Sequence, residues 1–213
     1  MKIPHLLFAS LFVAATVLAA DPPTISARSV ILFDANTGKV LFKKNADEQR
    51  PVASTQKLLT ALIVADSGDL SDMVTIKEID EDVEPTKLGA RPGQQYSRSQ
   101  LLHALLIKSC NDIARALARD NAGSIPAFAA RMNATMRRLG GNDSNFVNPN
   151  GLPAEGQYSS ARDMARVARA VYRDPTLREI IKTKYYDFRF STGKTVTLKN
   201  TNRVLRNYSF CNG

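Results

Sequence analysis

Histidine and cysteine are scarce in this chain, with two of each among 213 residues. His5 lies in an apolar leader, so His103 is the lone imidazole of the remaining chain. That rules against a zinc site built on several histidines and argues against a Ser-His-Asp triad that would need a partner other than His103. His103 sits beside Leu101, Leu102 and Leu105 on an amphipathic stretch and reads as a partly buried structural residue. Cys110 and Cys211 are far apart; export permits a bridge between them, but two cysteines define no framework. No cysteine directly follows the leader's cleavage site, which leaves a lipoprotein anchor unsupported. There is no internal repeat, no low-complexity tract, and no basic pattern interleaved with aromatics that would suggest nucleic acid.

What is present begins with the leader. Lys2 supplies a positive start, Leu6 to Leu18 is apolar or small, and Ala19 or Ala20 offers a cleavage site. The apolar run is short for a membrane span, so residues 1–20 read as a secretory signal peptide, with an uncleaved anchor as the lesser option. Residues 21–213 then form one exported domain, on the periplasmic or wall side of the cytoplasmic membrane. The net charge of +9 would draw such a chain to anionic wall polymers, headgroups or acidic ligands, although a solvated basic surface explains it equally well. Arg162, Arg166, Arg169 and Arg173 form one stripe of a helix whose other face carries Met164, Ala165, Ala168 and Val171, and they read as its wet side.

Element by element, Ser29–Phe33 and Val40–Lys43 form a hairpin around the turn Asn36-Thr37-Gly38. Thr55–Ala65 is a helix, stopped by Gly68. Residues 69–95 are irregular, apart from a short strand at Met73–Ile76. Ser99 caps a helix over Gln100–Ile107; others cover Asp112–Ala122, from Ser124 to Leu139, from Ser160 onward, and from Pro175 to Ile181. Tyr185–Phe190 and Thr195–Leu198 make a second hairpin. Strands, a helical middle and strands again indicate an α+β domain.

The chemistry centres on Pro51-Val52-Ala53-Ser54-Thr55-Gln56-Lys57. On a helix Ser54 and Lys57 share a face and can touch, and the helix N-terminus favours a developing oxyanion. A buried lysine favours its neutral form and can take the serine proton, which activates a serine without histidine. The spacing alone equally fits a capped helix start with a snorkelling lysine. A second Ser-x-x-Lys, Ser191-Thr192-Gly193-Lys194, lies at a hairpin tip where the two side chains share no helical face. The other polar cluster is Ser109-Cys110-Asn111, in the connection between two helices. There Ser109 can relay protons and the Asn111 amide can hold a substrate carbonyl, or Asn111 can simply cap the next helix.

Taken in order, these segments resemble the serine-type D-alanyl-D-alanine carboxypeptidases, the low-molecular-mass penicillin-binding proteins. The resemblance runs through Thr37-Gly38-Lys39-Val40-Leu41, Lys44-Asn45-Ala46-Asp47, residues 51–57, Ser109-Cys110-Asn111-Asp112, Phe146-Val147-Asn148-Pro149-Asn150-Gly151-Leu152 and Ser160-Ala161-Arg162-Asp163-Met164-Ala165. It implies a β-lactamase/transpeptidase-like α+β fold, an antiparallel sheet with packed helices and a helical subdomain. It also implies Ser54 as nucleophile, Lys57 as base, and Ser109 with Asn111 completing the proton path and orienting substrate. The substrates would be peptidoglycan stem peptides, with β-lactams as covalent inhibitors and no metal or organic cofactor.

Two departures stand out. The family usually has glycine where this chain has Cys110. No Lys-Thr-Gly occurs, although in the family it follows soon after a segment like residues 200–213. The resemblance therefore implies a polypeptide that stops before that strand, with membrane attachment through a missing C-terminal part left open. Such a chain is expected to be impaired, since one oxyanion donor lost costs about 100- to 1,000-fold. A class A-type β-lactamase shares the first motif, but only Glu155, poorly placed in a long loop, stands as its deacylating acid. A D,D-endopeptidase and a non-catalytic peptidoglycan-binding module also remain.

Overall fold

The Leu- and Ala-rich stretch after Pro51 becomes helix α1, Lys57–Asp66, around which the rest of the domain is arranged. Lys57, Leu59, Thr60, Ala61, Leu62, Ile63 and Val64 are all buried, and an apolar helix buried on every side is the natural centre of a core. This is a computed structural model describing residues 24–213, so the expected signal peptide, with His5, lies outside the described residues. Packed on α1 are α4 (Asn111–Ala122), α5 (Ile125–Arg138), α6 (Ala161–Arg173) and α7 (Pro175–Ile181). Ile113, Leu117, Phe128, Met132 and Val167 close the core from those neighbours, joined by Leu101 and Leu105 from the segment ahead of α4.

The strands form three antiparallel pairs: β1 (Val30–Phe33) with β2 (Val40–Lys44), β3 (Met73–Thr75) with β4 (Gln95–Ser97), and β5 (Tyr185–Arg189) with β6 (Thr195–Lys199). Together with the helices they make the α+β domain that the sequence implies. Both hairpins run where expected; β4 and the short helices α2 (Glu78–Glu81) and α8 (Arg203–Asn207) were not foreseen. Helix α2 is too polar to show an apolar period; its buried Asp80 is held by a double hydrogen bond from Arg119, at 3.0 and 2.7 Å.

Helix α3, Arg98–His103, starts earlier than expected, because Ser97 rather than Ser99 is its cap. The Ser97 hydroxyl accepts the Gln100 N–H at 3.2 Å, and the Gln100 side chain accepts the Ser97 N–H at 3.0 Å, a reciprocal box legible as Ser-x-x-Gln. The helix then widens into a π turn over Ala104–Lys108. His103 is a satisfied, half-buried residue, stacked on Tyr186 with ring centroids 4.2 Å apart.

The arginine stripe of α6 is not a merely solvated face. Arg162 pairs with Asp47 and Arg166 with Asp163. Arg169 donates to the carbonyls of Ala35 and Asn36, at 3.0 and 2.7 Å, and Arg173 to Asn36 at 2.6 Å. The β1–β2 turn points these carbonyls outward, and the guanidinium forks staple that turn to α6. Gly38, at φ +80°, leaves room for Arg169; a Cβ there would lie 2.9 Å from the guanidinium carbon.

Candidate active site

Ser54 lies in a 3-10 turn, Ala53–Gln56, just ahead of α1, not inside the helix's first turn as expected; Lys57 is the first residue of α1. The reason is local. Ala53 adopts φ +48°, a conformation uncommon for a residue with a side chain. The pair still meets, with Lys57 Nζ 2.9 Å from Ser54 Oγ.

Lys57 is 2% exposed, and burial pulls its pKa down to about 8, with the neighbouring Cys110 acting weakly in the other direction. Nζ also donates to the Asn150 carbonyl at 2.8 Å. In its neutral form the amine can keep that bond and offer its lone pair to the serine hydroxyl, the arrangement a general base needs.

The Asn150 carbonyl belongs to a clamp that reading for chemical groups missed. Thr60 donates to the Pro149 carbonyl at 2.6 Å, and Gln56 donates to that of Asn148. Gly151, at φ +83°, lies so close that a Cβ on it would be 2.0 Å from the Ala53 oxygen. The segment 148–151 thus holds both the lysine and the strained turn before Ser54. Its signal in the sequence was the dense Asn-Pro-Asn-Gly run, in which a glycine with positive φ is the expected device.

Ser109 ends the π turn with φ +64°, and Asn111 opens α4. Their motif lies beside α1, because the π turn and α4 that flank it both pack on that helix. Among the described residues, however, neither Ser109 nor Asn111 hydrogen-bonds to Ser54 or Lys57. The Asn111 Nδ2 donates to the Glu84 carbonyl at 3.3 Å, and its Oδ1 is buried with no partner. Asn111 therefore has an acceptor suited to a substrate N–H, and one Nδ2 hydrogen beyond the Glu84 bond that can serve a substrate carbonyl. Asn111 does not cap α4; Cys110 holds that position.

Cys110 is fully buried and part of the hydrophobic core, so its thiol does not crowd the cleft, and burial pushes its pKa up. It is unbridged, as is Cys211. Burial also raises the Asp112 carboxyl, against the N–H groups of Leu88, Gly89 and Ile113 that stabilise its charge. Glu155 is exposed in its loop, and Ser191-Thr192-Gly193-Lys194 forms the β5–β6 tip.

The family model described as D-alanyl-D-alanine carboxypeptidase matches residues 16–212. The chain is similar to the D-alanyl-D-alanine carboxypeptidase DacF of Bacillus subtilis, 34% identical over 88% of this chain and 49% of that one. It is also similar to a D-alanyl-D-alanine endopeptidase of Pseudomonas aeruginosa, 36% identical over 94% of this chain and 68% of that one. The crystal structure of a D-alanyl-D-alanine carboxypeptidase from Mycobacterium tuberculosis superposes with a TM-score of 0.87 at 30% identity, covering 92% of this chain and 75% of that one. The chain thus spans about half the length of the first of these relatives.

Proposed function

The chain belongs to the D-alanyl-D-alanine carboxypeptidase family, and on that premise we propose that it carries the acyl-transfer chemistry of a serine D,D-carboxypeptidase. Ser54 Oγ attacks the carbonyl between the last two D-alanines of a peptidoglycan stem peptide as Lys57 takes the hydroxyl proton. The C–N bond breaks, the proton passes through Lys57 and Ser109 to the departing D-alanine amine, and water releases the acyl group. Asn111 Oδ1 accepts an N–H of the bound peptide. β-Lactams acylate the same hydroxyl. The reaction takes place outside the cytoplasm. No helix among the described residues is long and apolar enough to cross a membrane.

The observation that carries this reading is the 2.9 Å contact between a hydroxyl and a buried amine whose pKa is drawn down to about 8. A D,D-endopeptidase is the second reading, favoured by the fuller span over the Pseudomonas relative; both use the same pair. The test is covalent capture of a fluorescent penicillin followed by peptide mapping. The label is expected on Ser54 and is expected to disappear in Ser54→Ala. A label that survives that substitution refutes the assignment.

A further inference from the structure

A second cleft opens beside the Ser109 motif. It encloses about 410 Å3 between the loop over residues 87–94, the end of the π turn, and the β5–β6 tip. Lys87, Arg91, Lys108 and Lys194 converge on it from these three segments, and no acidic side chain among the described residues lines it. Glu84 reaches Lys87 from outside, at 2.8 Å. Arg91, Lys108 and Lys194 have no ion pair among the described residues. Cations brought together without anions repel one another, so a bound anion would relieve the arrangement. One wall is apolar, from Phe190, Val196 and Leu198, which suits the methylenes of an acidic side chain.

The cleft is joined to the candidate active site through the chain itself. Lys108 directly precedes Ser109. The loop forming the opposite wall hangs on the same motif: the Asn111 N–H bonds the Thr86 carbonyl at 2.7 Å, and Asp112 accepts from Leu88 and Gly89, each at 3.0 Å. The Thr192-Gly193-Lys194 tip, which contributes nothing to the reactive pair, thereby gains a role.

We infer that this cleft is a subsite for a carboxylate carried by the peptide substrate at a distance from the bond that is cut. The inference rests on the proposed function. A cleft of this size fits one acidic residue, whereas a phosphate polymer would call for a long open track.

The test compares two pentapeptides, L-Ala-γ-D-Glu-L-Lys-D-Ala-D-Ala and its D-isoglutamine counterpart, which differ only by carboxylate against carboxamide. Binding to the full chain is followed by calorimetry, alongside penicillin capture at Ser54 on the same samples. The acidic peptide is expected to bind about tenfold more tightly at low salt. Lys194→Gln with Arg91→Gln should abolish that preference and leave the amidated peptide's affinity unchanged. Equal affinities for the unsubstituted protein, with penicillin still captured at Ser54, overturn the subsite alone. Loss of penicillin capture as well overturns the reading beneath it. Binding of poly(glycerol phosphate) that the double substitution removes, with equal affinities for the two peptides, assigns the cleft to wall polymer and also overturns the proposal.

Discussion

Replacing Lys57 by methionine should stabilise the fold near neutral pH while removing the base. Lys57 has a pKa of about 8 in the folded protein against an ordinary 10.5. Below both values the lysine is protonated in the folded and unfolded chains alike, and burying that charge costs about 3 kcal/mol at 1.36 kcal/mol per pK unit. Methionine keeps the apolar stem and removes the charge. It also leaves the Asn150 carbonyl without its donor, a loss of about 1 kcal/mol. The variant is therefore expected to be more stable by about 2 kcal/mol near pH 7. Between about pH 8 and pH 10.5 the folded lysine has released a proton that the unfolded chain still holds, so the unsubstituted protein gains stability as pH rises. Above that window the penalty is gone and the variant should be the weaker by about 1 kcal/mol. Urea unfolding of both proteins at the two ends of the window reads this directly, because all other titrations are common to both and cancel. A difference that does not change with pH, or a variant already weaker at pH 7, would refute a lysine depressed by burial.

Other consequences are equally open to measurement. Acylation of Ser54 by penicillin should rise about tenfold per pH unit and level off above about 8, and Lys57→Arg should not acylate at any accessible pH; a flat profile would remove Lys57 as the base. Gly151→Ala places a Cβ 2.0 Å from the Ala53 oxygen at a φ of +83°. It should cost about 3 kcal/mol in urea unfolding and slow acylation in the remaining folded protein, since the displaced backbone is the turn carrying Ser54. Arg119→Met strands the Asp80 carboxylate, which is 1% exposed, at a cost of about 3–5 kcal/mol. Adding Asp80→Asn should restore a large part of that, as measured by a double-mutant cycle.

The parts of this protein legible in advance were those governed by local chemistry. The apolar run after Pro51, the serine caps at Ser124 and Ser160, the glycine stop at Gly123 and both hairpins follow from rules spanning a few residues, and the structure keeps them. Where long-range contacts decide, the reading fell short. Helix α2 exists because Asp80 meets Arg119 far along the chain. The α6 arginines looked solvated because their partners are carbonyls of a distant turn. The side chains of Ser54 and Lys57 could be named from spacing, but their backbone setting could not, since the positive φ of Ala53 is fitted against Gly151.

That last dependence bears on how a lysine serves as base here. Burial deep enough to pull the amine to about 8 also removes the solvent that would let it settle into alternative positions, so its direction has to be imposed by protein. The clamp does this with three carbonyls, those of Asn148, Pro149 and Asn150, each received by a side chain of α1 or of the turn before it. The same segment abuts the Ala53 oxygen, so hydroxyl and amine are located by one body and cannot drift apart independently. A base held in this way costs stability through its charge but little further ordering at the moment of reaction. The residues that tune Ser54 are therefore the backbone of 148–151 as much as Lys57 itself, and loosening that segment should slow acylation even with both reactive side chains intact.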